Sequence, residues 1–189
     1  YRLFPQGQPL AQVDIDARVI GRNFSPTLAV VSDARLALEA LLEHAPKQTD
    51  PARKGWIDGE HQKFMQTSTP LDRPSKLTSQ DRVMKDLNAI VPKDTIYTVD
   101  AGNFSAWIHR FVRYDAEDSF FGPTVGSMGY GIPSAIGAKL AHPNRVVIGT
   151  CGDGGFMMTL QELATAVHHK INVIQLVFRG VKRYRVAVQ

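Results

Sequence analysis

Apolar and polar positions along this chain alternate between strand-like and helix-like spacing. Leu10-Ala-Gln-Val-Asp-Ile15 and Thr27-Leu-Ala-Val-Val31 read as short strands, and from about Ser32 the spacing of Leu38, Leu41 and Leu42 predicts a helix with one apolar face. Further on, Thr78-Ser-Gln-Asp81 resembles a capping box, with Asp where Glu or Gln is usual, and opens a helix whose face is Val83, Leu87 and Ile90. Pro92 ends that helix. Thr95-Ile-Tyr-Thr-Val99 is a buried strand running into the turn Asp100-Ala-Gly-Asn103, and a helix follows from Phe104 to Tyr114 with Trp107, Ile108 and Phe111 inward. Pro133 suits the first turn of a helix over 134–141, which His142 and Pro143 close. Val146–Thr150 is the next strand, and Thr159-Leu-Gln-Glu162 is a full capping box starting a helix to about His169. Asn172–Phe178 is the last strand.

Near-continuous apolar strands separated by helices belong to parallel sheets covered on both faces. The predicted class is α/β, three-layer α/β/α with a mostly parallel sheet. Residues 1–45 hold too little to bury both faces of their strands and read as the C-terminal fragment of a larger domain. Residues 46–76, with Pro46, Pro51, Pro70 and Pro74 amid mixed charge, read as a surface linker with one short helix near Trp56 to Met65. Residues 77–178 read as one incomplete domain, and residues 179–189 as an atypical basic tail.

Composition narrows the classes. An apolar content of 43% and a charged content of 21% are those of a soluble globular protein, and no window approaches the run of apolar residues that a membrane span needs. The net charge of +4 resides in Arg179, Lys182, Arg183 and Arg185, so residues 1–178 are neutral. A basic tail without an aromatic-studded basic face speaks against a nucleic-acid partner. The single Cys151 forms no internal disulfide, which suits the cytoplasm.

Candidate chemistry lies in three glycine-bearing turns at or near strand ends, 100–103, 122–131 and 152–155, where open parallel sheets bind ligands. Gly152, Gly154 and Gly155 allow a tight turn and close approach of the backbone to a ligand, and the helix beyond offers free N–H groups to an anion such as phosphate. Asp153 repels phosphate unless a divalent cation such as Mg²⁺ sits between them. A Gly-Asp-Gly sequence also occurs in plain turns, and a Met beside glycines, as at Met128, also serves as core filler. Gly126-Ser-Met-Gly-Tyr-Gly131 has the wrong glycine spacing for a dinucleotide fingerprint.

Gly126-Ser-Met-Gly-Tyr-Gly-Ile-Pro-Ser-Ala-Ile-Gly-Ala138, followed by Val146-Val-Ile-Gly-Thr-Cys-Gly-Asp-Gly-Gly-Phe-Met-Met-Thr-Leu-Gln-Glu162, resembles the C-terminal cofactor domain of thiamine diphosphate-dependent enzymes, the acetolactate synthase and pyruvate decarboxylase-like superfamily. Val13-Asp-Ile-Asp16 with Ile20-Gly-Arg-Asn23 is similar to the end of that family's middle domain. The resemblance implies that Asp153 is a Mg²⁺ ligand and that Gly154 and Gly155 present N–H groups to the diphosphate, with Gly102 and Asn103 contacting it from the other side. It implies that the Gly126 carbonyl accepts from the aminopyrimidine, and that Met128 is the wedge bending the cofactor so that its amine meets thiazolium C2. The implied activity is decarboxylation or carboligation of a 2-oxo acid by a homodimer or tetramer. FAD is compatible by analogy, held by a middle domain of which only the end is represented.

The resemblance stops at Phe178. The family continues with an Asn-Asn pair whose second member binds the metal; here Arg179 and Gly180 stand there, and Lys182 occupies the position of a backbone ligand. The family's activating glutamate belongs to an N-terminal domain of a neighbouring subunit, so no catalytic residue is assigned and a longer protein is expected at both ends. A non-catalytic interaction module that retains the fold stays open as the alternative.

Overall fold

The computed structural model describes residues 5, 7–46, 50–71 and 79–179. The chain divides into two compact units, Tyr1–Gly59 and Glu60–Gln189. In the first, β1 (Ala11–Asp14) and β2 (Leu28–Val31) pair in parallel, with Ala11 opposite Leu28 and Asp14 opposite Val31. Helix α1 (Ala34–His44) begins one residue after Asp33, whose carboxylate accepts from the backbone N–H groups of Arg35 and Leu36 at 2.9 and 3.2 Å. That satisfies two of the donors a helix start leaves open. Leu38, Leu41 and Leu42 do share a helical spacing, but all three are exposed. Helix α2 (Pro51–Thr67) is longer than the short helix expected near Trp56–Met65.

The second unit is built on a four-stranded parallel sheet in the order β4-β3-β5-β6: β3 (Ile96–Val99), β4 (Phe120–Phe121), β5 (Val147–Gly152) and β6 (Ile174–Phe178). β4, absent from the sequence expectation, is two residues long and lies between an acidic stretch and Gly122-Pro123, too short for any periodicity to show. Alternate β-residues face opposite layers. Tyr97, Val99 and Ile148 meet Met84 of α3 (Gln80–Ile90) and Ile108 and Phe111 of α4 (Ser105–Phe111). Ile96 and Val147 meet Ala135 and Ala138 of α5 (Gly131–Ala141). Ile132 and Ile136, also of α5, pack with Ala166 of α7 (Glu162–His168) and with Phe156 of α6 (Asp153–Thr159). The fold is α/β, as expected, with helices on both faces of a parallel sheet. Among the described residues no helix is long and apolar enough to cross a membrane.

Several local expectations change. Thr78 of the expected capping box lies outside the described residues, and α3 is capped by Ser79, which accepts from the Arg82 N–H at 3.2 Å. Asp81 is buried and accepts from the Leu71 N–H at 3.3 Å. Val83 and Leu87 of the expected face pack against the core, with Met84 between them the fully buried residue of α3, while Ile90 is 76% exposed and lies off that face. The capping box at Thr159–Glu162 does not form: Thr159 ends α6, its buried hydroxyl has no partner among the described residues, and its methyl packs against Gly129. Tertiary packing overrides the local cap there.

Two outcomes follow from this packing. Met84→Ala is expected to cost about 2–5 kcal/mol, because the vacated volume is enclosed, whereas Ile90→Ala stays within about 0.5 kcal/mol; urea denaturation of both variants checks the inward face. Burial pushes Tyr97 up to about 12 and Tyr114 higher still, the latter also through the charge of Tyr97. Burial, with the Asp100 charge added, pushes the Cys151 thiol up to about 11. These groups hold their protons in the folded chain at pH values where the unfolded chain releases them. Stability from them is therefore complete below the ordinary thiol value of 9.0 and is expected to fall as pH rises from there to about 11. Denaturation midpoints across that interval measure it, and a midpoint independent of pH would contradict it.

Candidate functional site

At the carboxyl ends of β3 and β5 the chain gathers the three glycine turns around one carboxylate. Asp100, the residue after β3, is 1% exposed. Its Oδ1 accepts from the backbone N–H groups of Ala101 at 2.9 Å and Tyr130 at 3.2 Å, and its Oδ2 accepts from Gly129 at 2.9 Å. Three N–H donors are enough to hold a buried carboxylate in place. Gly155 passes so close that a Cβ there would collide with the Asp100 carboxylate, and one at Gly131 would stand 2.7 Å from the Thr150 carbonyl. Turn 122–131 and helix α6 therefore pack onto the tip of β3 only where side chains are missing.

Gly152 is the N-cap of α6 and Asp153 its first residue, so the expected Gly-Asp-Gly turn is the start of a helix. Two consecutive glycines weaken helical propensity, which is why the segment reads as a turn in sequence. Asp153 is exposed at the positive end of α6, with Oδ1 accepting from the Gly154 N–H at 3.0 Å. Met128 is 49% exposed, and its ε-methyl would lie 3.2 Å from a Cβ placed on Gly154. Gly102 and Gly126 (φ +68°) border a cleft of about 370 Å³ that reaches down to Asp100. Asn103 is exposed in the turn between β3 and α4.

Of the residues singled out from sequence, Met128 thus meets Gly154, Gly155 meets Asp100, and Gly102 and Gly126 share a cleft wall. Asp153 and Asn103 stand exposed near the same strand ends. Arg179 follows β6 and is exposed; Gly180 and Lys182 lie outside the described residues. Among the described residues no three His, Cys, Asp or Glu side chains group to hold a metal. The sequence reading passed over Asp100 itself. The signal was available: a carboxylate directly after a strand of buried residues, the same logic that drew attention to Asp153.

Residues 100–180 match the thiamine pyrophosphate enzyme C-terminal TPP binding domain. Over that stretch the chain is similar to the cofactor domain of the thiamine pyrophosphate enzymes. It is 32% identical over 165 residues to the acetolactate synthase large subunit of Cyanidium caldarium, covering 85% of this chain and 28% of that protein. It is 32% identical over 184 residues to the probable acetolactate synthase large subunit of Methanocaldococcus jannaschii, covering 94% and 31%. A putative thiamine pyrophosphate-containing protein of Bacillus subtilis is 30% identical over 181 residues, covering 93% and 31%. The chain thus spans under a third of the length of these relatives.

Asp100→Ala tests the organising role of the carboxylate. Gly129 is buried, so its N–H would lose its acceptor with little access to water. The expected loss is about 2–4 kcal/mol, with a smaller loss for Asp100→Asn, which keeps one oxygen as acceptor. Urea denaturation gives the values; equal stability of Asp100→Ala and the unsubstituted chain would remove Asp100 from this role.

Proposed function

We propose that this chain is the cofactor-binding part of a thiamine diphosphate- and Mg²⁺-dependent carboligase or decarboxylase acting on 2-oxo acids, nearest in kind to acetolactate synthase. The observation that supports it most is the convergence of Met128, Gly154, Gly155 and the Asp100 carboxylate at one end of the sheet within a segment matching a TPP binding domain.

The residues present suit the diphosphate half of that cofactor. Gly154 and Gly155 carry no side chains in the first turn of α6, and a phosphate oxygen could replace Asp153 Oδ1 as the acceptor of the Gly154 N–H. Asp153 is exposed beside them with Oδ2 available, and a single carboxylate suits Mg²⁺, which takes its remaining oxygens from phosphate, backbone and water. Gly102 and Asn103 would contact the diphosphate from the β3 turn, the Gly126 carbonyl would accept from the aminopyrimidine, and Met128 would support the bend between its rings. When bound, the cofactor supplies a nucleophilic carbon and an electron sink for decarboxylation. The chain's own contribution is to bind, orient and bend it. On this reading the working enzyme is a homodimer or tetramer, the substrate is a small 2-oxo acid, and the chain by itself is inactive.

Arg179 and Gly180 favour a second reading, a non-catalytic module that keeps the fold, because Gly180 has no side chain where the resemblance expects the amide metal ligand and the Arg179 guanidinium beside that position repels Mg²⁺. Calorimetry with thiamine diphosphate, with and without Mg²⁺, separates the two. The enzymatic reading expects saturable, Mg²⁺-dependent binding that Asp153→Ala abolishes, with no turnover of pyruvate by this chain alone. Binding indifferent to Mg²⁺ and to Asp153→Ala, or no binding, supports the second.

A further inference from the structure

The cleft beside Gly102 and Gly126 has one side chain equipped to hold an anion. Its walls include Val99, Phe120 and Pro123, which offer only apolar surface. Asp100, at its base, has both oxygens occupied by backbone N–H groups. The Ser105 hydroxyl donates to the Gly102 carbonyl at 2.7 Å, which spends its one proton. His109 remains. It lies one helical turn beyond Ser105 on α4, so both side chains project from the same face of that helix into the cleft. Its ring nitrogens take part in no hydrogen bond among the described residues.

The ring is nevertheless positioned. It stands edge-to-face with Phe120, with centroids 5.1 Å apart and planes at 70°. Phe120 is itself held edge-to-face by Tyr114 at 5.6 Å, and folds over Gly122, where a Cβ would come within 3.0 Å of the ring. Tyr114 in turn stands edge-to-face with the buried Tyr97 and donates from its hydroxyl to the Ile108 carbonyl at 3.1 Å. A chain of aromatic contacts thus runs from the core to the imidazole. A polar ring held this way at an otherwise apolar wall is a recognition group: it carries an N–H donor in either charge state.

We infer that His109 is the residue by which this cleft binds the carboxylate of a 2-oxo acid, donating a hydrogen bond from its imidazole while Phe120 and Pro123 contact the acid's apolar end. The inference rests on the functional reading above and adds the substrate-recognising group to it. His109 is a binding and orienting residue here; no proton transfer is assigned to it.

The test is a titration of the full 189-residue chain, labelled with ¹³C at its histidine rings, with pyruvate in the presence of thiamine diphosphate and Mg²⁺. The His109 resonance, assigned by its loss in His109→Ala, is expected to move saturably. His109→Ala is expected to weaken pyruvate binding about tenfold, the loss of one hydrogen bond to a charged group, and His109→Gln, which retains an N–H donor, to recover most of it. Thiamine diphosphate affinity is expected to fall much less than pyruvate affinity in both variants, although Gly102 and Gly126 border the same cleft, because the His109 ring packs on Phe120. An unmoved His109 resonance, or equal pyruvate affinity in His109→Ala, overturns the inference alone. A parallel fall in cofactor affinity overturns it too, by making His109 a cofactor contact. Failure of the folded, unsubstituted chain to bind thiamine diphosphate overturns the functional reading, and this inference with it.

Discussion

The Asp100 carboxylate is the constraint on which the site depends. A carboxyl group 1% exposed must have its oxygens met by donors, and here the donors are the backbone N–H groups of its own turn and of the loop entering α5. Because the acceptor sits at the tip of β3 and the donors belong to a segment about thirty residues on, the bonds fix the loop relative to the sheet. The same carboxylate leaves room for Gly155 and for nothing larger. One side chain therefore sets the relative positions of all three turns.

Glycine is used here as space more than as flexibility. Gly131 is in an ordinary helical start, yet a Cβ would press on the Thr150 carbonyl; Gly155 is inside a helix, yet a Cβ would displace Asp100. Gly126, with φ +68° and open surroundings, is the different case, where backbone conformation is the requirement. The cost of two glycines at the start of α6 is offset by packing of the helix against β5 and α5, since isolated propensity is a weak term beside burial. What results is a helix start in which exposed Gly154 donates its N–H to the Asp153 carboxylate at 3.0 Å and buried Gly155 packs on Asp100.

The two units differ in how far they satisfy their own apolar residues. In the second, strands β3 and β5 are buried on both faces and their helices supply matching surfaces. In the first, the leucines of α1 are exposed and, among the described residues, the sheet has two strands. The contrast agrees with a chain spanning under a third of its relatives' length.

Apolar runs and helical spacing were enough to determine the parallel α/β class and the order of elements apart from β4 and α6, because burial on both faces leaves a continuous hydrophobic record. The motif 126–162 pointed to a cofactor domain through its resemblance to a family, and Gly131 and Gly155 within it stand where a Cβ would meet the Thr150 carbonyl and the Asp100 carboxylate. Other features needed the tertiary structure. The centring of the α3 face on Met84 with Ile90 left exposed, the pairing of two-residue β4, and the failure of the Thr159 cap all come from partners distant in sequence. So does the role of Asp100: in the sequence it is one more acid in a turn, and only the arrival of Gly129, Tyr130 and Gly155 makes it the centre of the site. Local pattern encodes what each segment must hide from water; which groups meet once they are hidden is decided by the packing of the whole.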